Sequence, residues 1–154
     1  TVLQQLADLH IHSIEQPIKA GNWDDMAELC ARTPTPIALD EELIGIIDPE
    51  KKKQLLERIN PQYIILKPAL VGGFSGSDEW IFLAENQNIG WWITSALESN
   101  IGLNAIAQFT FLQNNPMPQG LGTGSLYTNN FDCPLLVENG QLWYKPEFNW
   151  KVDF

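Results

Sequence analysis

Glu15, Asp40, Lys67 and Ser95 each close a short apolar run, and they follow one another at spacings of 25, 27 and 28 residues. Two carboxylates at the ends of successive strands are hard oxygen donors of the kind Mg²⁺ takes, and Mg²⁺ keeps several waters and needs few protein ligands. A lysine facing such a site could stabilise an enolate or carry a proton. Buried strands rarely end on a lone ammonium, because a desolvated charge is costly without a partner. Spacing alone leaves a second reading open for Lys67, a structural salt bridge to Glu15 or Asp40. Glu41 and Glu42, directly after Asp40, either add negative field or lead a helix.

The elements that must position these side chains repeat. The apolar runs are "LHIHSIEQPI" (Leu9–Ile18), "PIALDE" (Pro36–Glu41), "YIILKP" (Tyr63–Pro68) and "GWWITSAL" (Gly90–Leu97). Helical segments separate them. Asn22–Arg32 starts on an Asn cap with acids in its first turn, and Asp48–Ile59 on an Asp cap followed by Pro and Glu. Ser75–Asn88 and Ser99–Gln113 follow the same style. Strands alternating with helices at this period predict βαβ units and a parallel sheet.

The polar residue at the C-terminal end of each strand favours a (β/α)8 barrel over a doubly wound sheet, because barrel active sites are built there. Period-two alternation predicts Ser13 with Glu15, Ala38 with Asp40, Ile65 with Lys67, and Ile93 with Ser95 on one inward face. Four units and a final strand near Gln119–Ser125 make little more than half a barrel, whose usual length is ~250 residues. The expectation is therefore a partial barrel over residues 1–126, roughly strands 4 to 8, with a tail over 127–154. That tail reads as a β-hairpin turning on Asn139–Gly140. The chain is expected to be the C-terminal part of something larger. Open strand edges, and inward residues such as Ile11, Ala38, Ile65 and Ile93 with no opposite wall, predict association with the N-terminal half or with a second copy.

Composition narrows the partners. Nine basic against 19 acidic residues give a net charge of −10, which repels nucleic acid and anionic membranes. The apolar runs are too short to span a bilayer and no secretory signal pattern opens the chain, so a cytoplasmic protein is expected. Cys30 and Cys133 lack metal-type spacing and read as reduced thiols. His10 and His12 resemble the first-strand zinc motif of amidohydrolase barrels. Such sites need further histidines, and the chain has only two; both are expected to point outward beneath the helices. "VGGF" after Lys67 reads as loop geometry, and Trp80, Trp91 and Trp92 as helix–strand packing.

The segments "IEQPI", "PIALDEELIG", "ILKPALVGG" and "SALESNIGL", in this order and at this spacing, resemble the muconate-lactonizing subgroup of the enolase superfamily, nearest its o-succinylbenzoate synthase branch. The likeness runs from Ile11 to Gly124. It implies an enolase-type barrel, Mg²⁺ held by Glu15 and Asp40, and Lys67 facing the enediolate across the site while another lysine transfers the proton. It implies that Ser95 lies near the substrate's carboxylate or succinyl arm and that Gly122 lies near the substrate contacts of the last strand. The implied activity is a lyase dehydration of a small carboxylate substrate in menaquinone biosynthesis.

The subgroup's Lys-x-Lys pair, its first metal Asp and its capping domain are absent from these 154 residues and are expected upstream of Thr1; alone, the chain is expected to be inactive. The alternatives are an N-acylamino acid racemase or dipeptide epimerase of the same superfamily, and a non-catalytic half-barrel serving binding or assembly.

Overall fold

A computed structural model describes residues 2–151; residue 1 and the last three residues of the tail lie outside the described residues. The chain forms two compact units, Thr1–Trp92 and Ile93–Phe154.

The first unit alternates strand and helix as the rhythm predicts. After α1 (Val2–Ala7) come β1 (Ile14–Glu15), α2 (Trp23–Arg32), β2 (Ile37–Leu39), α3 (Pro49–Ile59), β3 (Tyr63–Leu66) and α4 (Gly73–Glu85), and then β4 (Gly90–Ile93), whose last residue falls in the second unit. The strands lie in the order β1-β2-β3-β4, with β1–β2 and β2–β3 parallel. Helix starts follow the capping chemistry. The Asn22 side chain accepts from the Asp25 N–H, and the Asp48 side chain from the Glu50 N–H ahead of Pro49, each satisfying one of the first-turn donors a helix leaves free. Helix α4 begins at Gly73, two residues before the expected Ser75. Gly72 and Gly73 take φ of 101° and 72°, a turn that glycine makes without strain.

Register explains how the strand ends meet. Glu15 pairs with Ala38, and Ala38 and Leu39 with Tyr63 and Ile64; continuing by one places Asp40 beside Ile65. Each candidate residue thus stands two positions beyond its neighbour's partner, the stagger by which tilted barrel strands advance. The core beneath α2, α3 and α4 is built from Met26, Ile37, Leu39, Leu55, Leu56, Ile64, Leu66 and Trp80, all fully buried.

Two expectations about faces change. His12 does not point outward: its ring lies 4.6 Å from that of Tyr63 and meets Trp92 edge-on at 5.8 Å, and Tyr63 shares a face with Ile65 and Lys67. Strand β1 has only two residues, so alternation cannot be carried back from Glu15 to His12. Along β4, Trp91 donates to Glu85 of α4 while Trp92 joins the Tyr63 face, so alternation sets Ile93 with the helix-facing Trp91 and not inward. Ala38, Ile65 and Ile93 are buried, and only Ile11 of the four residues expected to be bare is exposed. Alanine is too short to protrude, and Ile65 sits between Tyr63 and Lys67 on its own face.

Lys52 of α3 is fully buried. Its ammonium donates to the Gly76 carbonyl at 3.0 Å and to Glu79 at 2.8 Å, and stands 5.4 Å from the Trp80 ring centre, pinning α4 to α3. Glu79→Ala should cost about 2–3 kcal/mol in urea unfolding, below the ~3–5 of a fully buried pair because the Glu79 side chain is 41% exposed. Lys52→Met removes the charge with its partner's need and should cost less; equal losses would contradict this account.

The second unit holds α5 (Asn100–Leu112) and an antiparallel hairpin of β5 (Leu135–Glu138) and β6 (Gln141–Tyr144). Asn139 and Gly140 form the expected two-residue turn, both with positive φ. The strand expected at Gln119–Ser125 shrinks to a parallel bridge between Thr94 and Gly120. A Cβ on Gly120 would stand 2.4 Å from the Thr94 hydroxyl, so glycine permits the approach, while a glycine-rich run offers few side chains to extend it. Trp143, Tyr144 and Trp150 of the tail are exposed.

Both cysteines are free. Burial pushes the Cys30 thiol up to about 11, whereas Cys133 is only part-buried. Thiol reagents at pH 8 should therefore label Cys133 quickly and Cys30 only on unfolding, because the thiolate is the nucleophile; equal rates in the folded protein would contradict the burial of Cys30.

Candidate active site

Glu15 is the last residue of β1, and Asp40 and Lys67 are the first beyond β2 and β3. The Asp40 carboxylate is 1% exposed and forms a direct ion pair with the Lys67 ammonium, which also lies 3.9 Å from Glu15. Lys67 therefore ends its strand paired rather than alone. The strand end is held by the turn after it, in which the Leu70 and Val71 N–H groups donate to the Lys67 carbonyl.

Carboxylate oxygens of Glu15, Asp40 and Glu41 all lie within 4.8 Å of one another. The Glu15 carboxyl is held above the usual carboxylate range, chiefly by partial burial, then by a hydrogen bond and repulsion from Asp40; Lys67 acts the other way and Glu41 adds to the rise. One ammonium does not neutralise three carboxylates. The donor set, hard carboxylate oxygens gathered within 4.8 Å of one another, is of the chemical kind that a divalent cation such as Mg²⁺ takes.

Two residues that join this region were not singled out from the sequence as site candidates. Gln16 has φ of 36°, and its carboxamide oxygen accepts from the Asp40 and Glu42 N–H groups at 3.1 and 3.3 Å. Glu42, expected to add field or lead a helix, is 4% exposed and turned into the loop after β1, where it accepts from Gly21 N–H at 2.8 Å and from Gln16 at 3.1 Å. Glu41 alone of that pair joins the carboxylate cluster. The "EQP" run carried the Gln16 signal, but nothing in the sequence marked Glu42 as its partner.

In the second unit, Ser95 is buried. Its hydroxyl donates to Glu98 at 2.5 Å and accepts from Leu97 N–H at 2.9 Å, while Glu98 also takes the Ala96 N–H at 3.0 Å. Leu97 holds φ of 67°, which leucine rarely adopts. Glu98 is a further residue that the sequence did not single out. A side chain at Gly122 would meet open space, whereas one at Gly124 would meet Asn100 at 2.5 Å. Packing thus accounts for Gly124 and leaves Gly122 free to serve another purpose. Among the described residues, no helix is long and apolar enough to cross a membrane.

The family described as "Enolase C-terminal domain-like" matches residues 1–146. An o-succinylbenzoate synthase from Desulfotalea psychrophila is 58% identical over 140 residues, covering 91% of this chain and 38% of that protein. The crystal structure of MenC from the same organism superposes with a TM-score of 0.88 at 57% identity, over 92% of this chain and 39% of that one. An N-succinylamino acid racemase from Thermus thermophilus is 35% identical over 100 residues, covering 65% of this chain and 26% of that protein. The chain thus spans well under half the length of the relatives it matches.

Proposed function

Because the chain belongs to the enolase C-terminal domain-like family, we propose that it forms the C-terminal part of an o-succinylbenzoate synthase. The reaction is the dehydration of 2-succinyl-6-hydroxy-2,4-cyclohexadiene-1-carboxylate to o-succinylbenzoate in menaquinone biosynthesis. The observation that carries this reading is the meeting of Glu15, Asp40 and Lys67 at three adjacent strand ends, in a chain 58% identical to an o-succinylbenzoate synthase. The racemase relative is more distant, which favours dehydration over the runner-up.

Glu15 and Asp40 would hold Mg²⁺, with Glu41 at its border. Bound there, the ion would act as a Lewis acid on the substrate carboxylate, lowering the cost of removing the adjacent proton. Lys67, already aimed at the carboxylates, places a positive charge where the enediolate develops, an electrostatic contribution set before reaction. The proton goes to a lysine elsewhere in the complete enzyme. The C6 hydroxyl departs as water, so one proton and one hydroxide leave and the ring becomes aromatic. Ser95, its hydroxyl fixed by Glu98 and Leu97, is assigned to the substrate's carboxylate or succinyl arm. Gly122 is assigned to a substrate contact through its backbone. The partners are a small carboxylate and the rest of the enzyme, with a second copy as a further candidate, in the cytoplasm.

The test is to supply the complete enzyme with the cyclohexadiene carboxylate and Mg²⁺ and to follow the aromatic product. Rapid o-succinylbenzoate formation is expected. Racemisation of N-succinylamino acids outrunning it would promote the racemase reading instead.

A further inference from the structure

We propose that Gln16 and Glu42 form a carboxamide–carboxylate clamp that sets the spacing of the Glu15 and Asp40 carboxylates, making both positioning residues for the divalent cation. This rests on the metal reading above.

All four hydrogen-bonding places of the Gln16 carboxamide are used. Its oxygen takes the Asp40 and Glu42 N–H groups, and its NH₂ donates to Glu42 and to the Ile18 carbonyl at 3.0 Å. The other Glu42 oxygen takes the Gly21 N–H. Every one of these bonds joins the loop after β1, beginning at Gln16, to the turn after β2, beginning at Asp40, or ties one of those loops internally. Gln16 is also the residue adjoining Glu15, and its left-handed φ of 36° turns the chain so that its side chain crosses to the next strand. Non-glycine residues enter this region only where surrounding contacts hold them there. Among the described residues no cation pairs with the buried Glu42 carboxylate, which is stabilised by charge-assisted N–H bonds. A buried charge spent on joining two loops is costly for stability alone, but it fixes where two flanking carboxylates stand.

The bonding pattern makes a sharp test. Glu42→Gln preserves shape but turns one oxygen into a donor. That NH₂ then faces either the Gln16 NH₂ or the Gly21 N–H, and flipping Gln16 sets its own NH₂ against two backbone N–H groups. No arrangement satisfies the network. The swapped pair, Gln16→Glu with Glu42→Gln, restores donors and acceptors everywhere except at the Ile18 carbonyl.

Mn²⁺ affinity, read by electron paramagnetic resonance on the protein carrying this chain alongside its melting temperature, separates positioning from mere support. Glu42→Gln should weaken Mn²⁺ binding by ~10–100-fold, as loss of a residue that orients a metal ligand does, and the swapped pair should recover most of it. Unchanged affinity in Glu42→Gln, whatever the melting temperature does, overturns the clamp and leaves the metal reading standing. If Glu42→Gln does not fold, a swapped pair that folds and binds like wild type supports the clamp, and one that folds and binds as poorly as an unclamped site overturns it. Wild-type protein that binds no Mn²⁺ overturns the metal reading and the clamp with it.

Discussion

Asp40→Asn should abolish turnover in the complete enzyme and remove divalent-cation binding in the same step. Asp40 is the most enclosed of the three carboxylates and the one to which Lys67 is directly paired. Its amide would keep the shape and lose the charge that both cations need. The rate should fall at least ~10³-fold, the upper end of what loss of one charge-stabilising group costs. The change has a second signature in stability. Glu15 carries a raised carboxyl, so its stabilising contribution is full below its unfolded value and is lost as pH rises through the folded one. Removing the Asp40 charge deletes its repulsion and leaves burial, Glu41 and the opposing Lys67, so the metal-free variant should lose less stability than wild type over that rise. Comparison of urea unfolding at acid and neutral pH measures it; an unchanged slope would mean that the two carboxylates do not interact.

Lys67→Ala should lower kcat by ~10²–10³, the usual loss when one preorganised charge facing a developing anion is removed. The metal should behave in the opposite sense to that in Asp40→Asn. Without its ammonium, Asp40 is released from a competing ion pair, so Mn²⁺ affinity should hold or rise while turnover collapses. That split distinguishes an electrostatic group from a structural salt bridge. A variant that retains near-normal turnover would return Lys67 to the structural role that spacing alone left open.

The candidate strand ends were legible because Glu15, Asp40 and Lys67 each terminate an apolar run, and a parallel sheet brings successive strand ends together whatever lies between. The caps at Asn22 and Asp48 and the Asn139–Gly140 turn were legible because each is local chemistry, decided within a few residues. What escaped depended on contacts between segments. Gln16 and Glu42 are 26 residues apart, and neither shows from its neighbours that it will be buried against the other. Lys52 lies among charged residues of a helix whose exposed side is polar, and only the approach of α4 buries it. His12 and Ile93 were misassigned by extending alternation: past a strand of two residues in one case, and along a strand whose helix-facing parity is set by Trp91 and Glu85 in the other. The glycine-rich run at Gln119–Ser125 looked like a strand because of its place in the rhythm, but too few side chains were there to hold one.

A crystal structure of the protein in Mg²⁺ decides whether Glu15 and Asp40 share one divalent cation with Lys67 beside it. One octahedral ion is expected, bonded to an oxygen of Glu15 and one of Asp40 at ~2.0–2.1 Å, with the Lys67 ammonium displaced from Asp40 and turned toward the open side of the ion. Saturating Mg²⁺ with no density between the two carboxylates, and the Asp40–Lys67 pair intact, would contradict it.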